Sequence, residues 1–261
     1  MSRRKSVAKA ISPKDKKIRD LEVGLINNGF AMAENTRKRK NWTIHDLKTI
    51  KPLNEPQRAM FEAYFQDFHI IANGSAGTGK TLASLFLALN DVLSKDRPQQ
   101  RVIIVRSAVA TRDLGFLPGN IDEKLEPFET PYRDILGFLT GNANAYDSMK
   151  ENGLIAFMPT SFVRGLNWDD AVVVVDEVQN LNFWELNSVI TRVGDNSRIL
   201  IVGDQIQTDL YKSSNDKSGM DKFLKIARTL PDEFSEIIFQ KEDIVRSRFV
   251  KSWICALEEA S

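Results

Sequence analysis

The chain has 261 residues, of which 42% are apolar and 27% are charged, values typical of a globular protein with a buried core. Its single cysteine, Cys255, excludes an internal disulfide, and its two histidines, His45 and His69, are too few for a zinc cluster. No apolar run reaches about 18 residues, the length of a membrane span, and no apolar stretch follows the basic start, so no secretory signal is predicted. We therefore expect a cytoplasmic protein.

The net charge of +1 is unevenly distributed along the chain. Residues 1–50 contain 13 Lys and Arg against 5 Asp and Glu, a net charge of +8, which leaves −7 for residues 51–261. Such a basic segment is typical of a site for an anionic partner, and equally of a solvated tail. We expect residues 1–41 to form a basic, partly disordered segment and residues 42–261 to form a single compact domain.

Short apolar runs alternate along this domain with segments of helical periodicity. Apolar residues at intervals of three and four predict helices over 82–93 and 245–257. Nearly continuous β-branched runs are typical of strands that are covered on both faces. They predict strands at 68–72, 101–105, 154–157, 171–175, 198–202 and 236–239. The alternation predicts an α/β three-layer sandwich with a mainly parallel central sheet. The exception is 107–151, a long connection of the kind that is usually functional or mobile.

The first candidate functional residue is Gln57, in the sequence Pro-Leu-Asn-Glu-Pro-Gln, 17 residues before a glycine-rich loop. A side-chain amide can pair with both N7 and N6 of adenine. The position therefore predicts that Gln57 selects ATP, and a surface glutamine after a proline turn is the alternative.

A phosphate-binding loop follows the first predicted strand. Its eight residues are Gly74, Ser75, Ala76, Gly77, Thr78, Gly79, Lys80 and Thr81, which fit the pattern Gly, four residues, Gly, Lys, Ser/Thr. Glycines let the backbone N–H groups surround phosphate oxygens, and the following helix adds the positive end of its dipole. We expect Lys80 to reach the β and γ phosphates and the Thr81 hydroxyl to bind Mg²⁺.

Two acidic residues end the predicted strand at 171–175. Asp176 lies at the carboxyl end of a buried strand, where ligands bind open α/β sheets, and we expect it to hold Mg²⁺ through water. Glu177 is then placed to orient and deprotonate an attacking water, which predicts a hydrolase. Two solvated acids after a core strand are the alternative.

A side-chain amide follows the predicted strand at 198–202. Gln205 comes after Gly203 and Asp204, and we expect it to sense the γ-phosphate and link hydrolysis to movement. A polar turn is the alternative interpretation.

These segments, taken together, resemble the PhoH-like ATPases, a phosphate-starvation-inducible family of bacteria and bacteriophages. The similar segments are 52–57, 74–81, 104–119, 153–180, 198–210 and 242–247, in this order. The resemblance implies a RecA-like P-loop NTPase core related to superfamily 1 helicases, with ATP and Mg²⁺ as cofactors, in the host cytoplasm if a phage encodes it. The nucleotide residues that it implies are Gln57, Gly79, Lys80, Thr81, Asp176, Glu177 and Gln205, with Arg246 as the arginine of a C-terminal motif.

The length allows one RecA-like lobe, whereas a superfamily 1 helicase closes two lobes on one ATP. An arginine that neutralises the transferring phosphoryl group must then come from this lobe or from a neighbouring subunit. We therefore predict a homo-oligomer, a ring and possibly a hexamer, as the resemblance also implies.

Two classes of function remain open, with a small-molecule kinase as a weaker third. The first is an ATPase that remodels single-stranded nucleic acid, RNA more than DNA. Its candidate contacts after the second strand are Arg106, Ser107, Thr111 and Arg112. The second is a nucleotide-dependent switch or scaffold that binds a protein partner without translocating. A kinase is disfavoured because Glu177 beside Asp176 favours attack by water.

Overall fold

A computed structural model describes residues 40–107, 121–204 and 219–260 of the chain. Within these ranges the strands are β1 (His69–Gly74), β2 (Arg101–Arg106), β3 (Ile155–Pro159), β4 (Ala171–Asp176), β5 (Arg198–Gly203) and β6 (Phe234–Phe239). They form one sheet in the order β3-β2-β4-β5-β1-β6, and every neighbouring pair is parallel. All the predicted strands are confirmed, with ends that differ by one or two residues.

The helices of the described ranges connect and cover these strands. They are α1 (Glu55–Phe65), α2 (Lys80–Leu93), α3 (Ile121–Thr140), α4 (Ala145–Glu151), α5 (Phe183–Ile190), α6 (Met220–Ala227) and α7 (Arg248–Ala260). The two predicted helices correspond to α2 and α7. Helix α7 begins three residues later than predicted, after a short 3-10 turn at Lys241–Asp243.

The interpretation of 107–151 as a long connection is wrong for its second part. Helices α3 and α4 occupy most of the segment after residue 120, and α3 carries Pro127 and Pro131 in its interior. A proline has no N–H to donate and is unfavourable inside a helix, so the sequence pattern argued against a helix here. Residues 108–120 lie outside the described part of the chain.

The sheet has a separate apolar core on each face, because side chains of a strand alternate between its two sides. Ile70 and Ala72 of β1 belong to the core beneath α1 to α4, whereas Ile71 belongs to the core beneath α5 and α6. The strands β2, β4 and β5 divide their side chains in the same way. The result is the predicted three-layer α/β sandwich.

The strand order brings the candidate site to one edge of the sheet. In parallel strands the carboxyl ends lie together, and β5 separates β1, which leads into the phosphate loop, from β4, which ends in Asp176. Near the proposed start of the domain, Trp42 is buried and donates from Nε1 to Ser148 Oγ at 3.1 Å. Among the described helices, none combines the length and apolar character that crossing a membrane requires.

Candidate functional site

The loop between β1 and α2 has a backbone that requires glycine. Gly74 has a φ of +126°, and a Cβ at this position would overlap the carbonyl of Phe239 in β6. Gly79, with a φ of +84°, is the residue before α2. Both glycines have a positive φ, a backbone conformation that residues other than glycine rarely adopt. The glycines therefore give this loop the backbone conformation that the sequence pattern predicts, and phosphate binding stays a prediction.

The outside of the loop is held by segments that come before and after it in the chain. The N–H of Ser75 donates to the carbonyl of Phe239 at 3.0 Å, and the N–H of Val245 donates to the carbonyl of Gly77 at 3.0 Å. From the other side, Gln57 Nε2 donates to the carbonyl of Thr78 at 2.8 Å. These bonds hold the N–H of Ser75 and the carbonyls of Gly77 and Thr78. The first N–H groups of α2 have no partner inside the helix, and such groups are suited to binding an anion.

Lys80 is folded over the loop that it follows. Its Nζ donates to the carbonyls of Gly74 and Ser75 at 2.7 and 2.6 Å, and the side chain is buried. Burial lowers the pKa of Lys80, while the carboxylates of Asp204 and Glu177 act in the opposite direction. The arrangement concentrates one cation at the mouth of the loop, facing acidic strand ends.

The residues predicted to hold Mg²⁺ lie side by side. The Thr81 hydroxyl donates to Asp176 Oδ1 at 3.0 Å, across the gap between α2 and β4. Among the described residues there is no cluster of three or more His, Cys, Asp or Glu side chains that could form a complete protein cage for a metal. A hydroxyl and one carboxylate beside a phosphate loop are a donor set that fits Mg²⁺, which binds through few protein oxygens plus phosphates and waters.

The Asp176 carboxylate is almost completely buried and has a second partner. Its Oδ2 accepts a hydrogen bond from the hydroxyl of Tyr132, in α3, at 2.9 Å. Burial raises the pKa of Asp176, and the neighbouring Glu177 raises it further, whereas Arg106 lowers it. The two hydroxyl donors, from Thr81 and Tyr132, also favour the charged carboxylate.

Glu177 has an unusual backbone and is held at both carboxylate oxygens. Its φ of +52° lies in the left-handed region, which is strained for a residue with a Cβ. Gln179 Nε2 donates to Glu177 Oε2 at 2.6 Å, and Arg106 Nη2 lies 3.9 Å from Oε1. The carboxylate of Glu177 raises the pKa of both Lys80 and Asp176, so the three charged groups influence one another at this edge of the sheet.

Gln179 also connects this acidic turn to the end of β5. The N–H of Asp204 donates to Gln179 Oε1 at 3.0 Å, and Gln179 itself is buried. The predicted sensor, Gln205, follows Asp204 directly but lies outside the described residues. Its role stays a prediction.

Gln57 and Arg246 lie on the outer side of the loop. The Gln57 amide is buried, and its Oε1 accepts from the N–H of Leu53 at 2.8 Å while its Nε2 binds Thr78. The structure thus gives Gln57 a supporting contact to the loop, and adenine recognition stays a prediction. A Cβ on Gly77 would lie 3.0 Å from Arg246 Cγ, so the arginine stem is beside the loop of its own chain.

Two site residues were missed by reasoning from the sequence. Gln179 stands in the acidic segment that was singled out, but its amide was given no role there. Tyr132 has no signal in the sequence, because it is 44 positions from Asp176 and lies between prolines and charged residues. Only the packing of α3 against the sheet brings its hydroxyl to the site.

Comparison with known proteins identifies the family of the chain. The family model described as PhoH-like protein matches residues 49–258. A PhoH-like protein of Bacillus subtilis (strain 168) is 33% identical over 213 residues, which is 81% of this chain and 65% of the relative. Protein PhoH of Escherichia coli (strain K12) is 36% identical over 205 residues, 77% of this chain and 56% of the relative. The chain therefore spans less than two thirds of the length of these curated relatives.

Solved structures give weaker similarities. A Sulfolobus solfataricus SWI2/SNF2 ATPase core in complex with dsDNA is 12% identical, with a TM-score of 0.42 over 77% of this chain and 47% of that one. A Pif1 helicase from Candida albicans is 16% identical, with a TM-score of 0.36 over 77% of this chain and 43% of that one. The family match covers most of the chain, and this protein belongs to the PhoH-like family.

Proposed function

We propose that this chain binds ATP with Mg²⁺ and hydrolyses it, and that hydrolysis is coupled to binding or remodelling of single-stranded nucleic acid, RNA in preference to DNA. The observation that carries the proposal is the 3.0 Å hydrogen bond from Thr81 to Asp176. This bond joins Thr81 and Asp176, which we propose as the metal ligands, beside the glycine loop that leads into Lys80. A phosphate loop beside a metal-binding carboxylate is the basic requirement for phosphoryl transfer.

Each residue of the site would have its own role in ATP binding and hydrolysis. The loop from Gly74 to Thr81 binds the triphosphate through its N–H groups and the dipole of α2. Lys80 places its charge against the terminal phosphates, and Glu177 orients a water and accepts its proton. Bound Mg²⁺, held by Thr81 and Asp176, would neutralise charge on the phosphate oxygens. The stem of Arg246 lies beside Gly77 of the same chain, and we propose that its guanidinium adds positive charge there, either to its own nucleotide or to that of a neighbouring subunit.

The nucleic-acid part of the proposal is supported by Arg106. This residue ends β2, keeps 24% of its side chain exposed and lies 3.9 Å from Glu177. A phosphate backbone that bound Arg106 would therefore act directly beside the proposed general base. The net charge of +8 in residues 1–50 offers further attraction for a polyanion.

We propose that the chain forms a homo-oligomer through an interface on the surface of α7. Phe249, Trp253 and Leu257 are spaced by one helical turn and remain 75, 65 and 47% exposed. The segment just before this helix is bonded to the loop through Val245. An apolar stripe of this kind is typical of a protein interface, and a second copy of the chain bound there would lie near the nucleotide. We propose a ring of such copies, in the cytoplasm.

The direct test is the rate of ATP hydrolysis by the wild-type chain and by Glu177→Gln, each with and without single-stranded RNA and DNA at low salt. We expect wild type to hydrolyse ATP faster with RNA, and Glu177→Gln to bind ATP without hydrolysing it. Arg106→Ala is expected to reduce the stimulation while leaving ATP binding unchanged. If neither nucleic acid changes the rate of ATP hydrolysis, and a protein partner binds only one nucleotide state of the chain, the switch function is favoured instead.

A further inference from the structure

Tyr132 makes a contact that the proposed function does not yet use. It is completely buried in α3, and its hydroxyl donates to Asp176 Oδ2 at 2.9 Å. The other oxygen of the same carboxylate, Oδ1, accepts from the Thr81 hydroxyl at 3.0 Å. The two oxygens of Asp176 are thus occupied by hydroxyl groups from two different helices.

The position of Tyr132 is fixed by the packing of α3. Its ring lies against Phe157 of β3, with 5.8 Å between the ring centroids. One turn earlier in α3, the buried carboxylate of Glu129 accepts two hydrogen bonds from Lys150 of α4, at 2.8 and 2.9 Å. These contacts hold α3 on the sheet, so the position of the Tyr132 hydroxyl relative to Asp176 is fixed.

We infer that Tyr132 is a positioning residue for the metal, whose hydroxyl fixes the rotation of the Asp176 carboxylate so that Oδ1 faces Thr81. This inference rests on the proposed function. The two oxygens of a free carboxylate are equivalent, so the hydrogen bond to Oδ2 acts by restricting the angle of the carboxylate plane, which keeps Oδ1 beside the Thr81 hydroxyl. Groups that orient metal ligands in this way typically contribute about 10- to 100-fold to metal affinity.

A purely structural role has to be separated from this one, and the chain contains a matched control. Tyr64 is also completely buried, and its hydroxyl donates to the buried carboxylate of Asp91 at 2.7 Å. Asp91 lies eleven residues after Lys80 in α2, roughly 16 Å along the helix axis. Removing the Tyr64 hydroxyl therefore removes the same kind of hydrogen bond far from the site.

The experiment compares wild type, Tyr132→Phe and Tyr64→Phe in binding of a non-hydrolysable ATP analogue, first in EDTA and then as Mg²⁺ is added. In EDTA we expect Tyr132→Phe to bind the ATP analogue with the same affinity as wild type. The Mg²⁺ concentration that gives half of the gain in analogue affinity should be about tenfold higher for Tyr132→Phe than for wild type. For Tyr64→Phe we expect a lower melting temperature and an unchanged Mg²⁺ response. Tyr132→His, which keeps a ring N–H donor, is expected to recover part of the response.

Two results would overturn the inference in distinguishable ways. If wild type binds the analogue and responds to Mg²⁺ while Tyr132→Phe responds identically, Tyr132 has only a structural role and the proposed function stands. If wild type does not bind the analogue in either condition, the proposed function is wrong and the inference falls with it.

Discussion

Gln57 donates from Nε2 to the carbonyl of Thr78 at 2.8 Å, which joins the start of α1 to the middle of the phosphate loop. The same amide accepts from the N–H of Leu53, so both of its ends are bonded within the chain. A residue expected to recognise a base thus also shapes the loop that would bind the phosphates. This contact can be tested without any base present.

Gln57→Ala should weaken the binding of inorganic tripolyphosphate as well as ATP. Loss of one hydrogen bond of about 1 kcal/mol corresponds to about fivefold in affinity, because the loop carbonyl is no longer held. Calorimetry with both ligands measures the effect. Gln99→Ala is the control, because Gln99 is also buried and donates to a carbonyl, that of Asn196 at 2.8 Å, far from the loop. A loss confined to ATP would support adenine recognition and contradict the supporting role.

Gln179→Ala should slow ATP hydrolysis while leaving ATP affinity within about twofold. The variant removes the 2.6 Å hydrogen bond that holds Glu177, and a misplaced general base forfeits part of the roughly 10²- to 10⁴-fold that such a group supplies. Steady-state hydrolysis rates of wild type, Gln179→Ala, Glu177→Gln and the double variant form a double-mutant cycle. If Gln179 acts through Glu177, the double variant is no slower than Glu177→Gln alone. Additive losses would show that Gln179 acts elsewhere.

Arg198→Met should destabilise the fold without changing ATP affinity per folded molecule. Arg198 is buried at the start of β5, and its Nη1 lies 3.1 Å from Oδ2 of the fully buried Asp91. Its removal leaves the buried Asp91 carboxylate with the Tyr64 hydroxyl and with Arg97, whose Nε lies 3.7 Å from Oδ1. Breaking a buried ion pair costs up to about 3–5 kcal/mol, and these two remaining partners reduce that loss. Denaturant unfolding measures this loss. Arg228→Ala breaks an exposed pair with Glu236 and should change stability little; an equal effect of both variants would contradict the account.

The stability of the fold should fall as the pH decreases through the range in which His69 titrates. Burial lowers the pKa of His69 below its ordinary value of 6.5. The unfolded chain then takes up the proton at higher pH than the folded chain, so stability present above the unfolded pKa is lost as the pH falls toward the folded pKa. Urea unfolding at about pH 7.5 and about pH 5 should show a smaller loss in His69→Gln than in wild type. Substitution of the exposed His45 by Gln is the control and should lose as much unfolding free energy between the two pH values as wild type does. The same loss in His69→Gln as in wild type would contradict the role given to His69.

The inner strands of this fold could be predicted because they are covered on both faces. Runs such as 171–175 are continuous in β-branched residues, a pattern that few helices of this length show. The phosphate loop could be predicted because its glycines have a local cause, the positive φ values at Gly74 and Gly79. Asp176 and the loop before Lys80 lie at the same edge because the carboxyl ends of parallel strands lie together, and the alternation of elements already indicated a parallel sheet.

What could not be predicted depends on contacts between distant parts of the chain. Helix α3 carries Pro127 and Pro131, so its stability comes from packing and from the Glu129 ion pairs rather than from local preference. The contact of Tyr132 with Asp176 exists only once that helix is placed. The amide of Gln57 was expected to point to a base, and its use by the loop depends on how α1 packs against β6 and β1.

The central claim is that Lys80, Thr81 and Asp176 form one binding site for ATP with Mg²⁺. Isothermal titration calorimetry of the purified chain with ATP, in Mg²⁺ and in EDTA, tests it most directly, with Lys80→Ala and Asp176→Asn alongside. We predict that wild type binds ATP more tightly with Mg²⁺ than without it, that Lys80→Ala loses binding in both conditions, and that Asp176→Asn loses only the gain from Mg²⁺. A wild-type chain that does not bind ATP with Mg²⁺, or that binds it equally well after Lys80→Ala, would contradict the account.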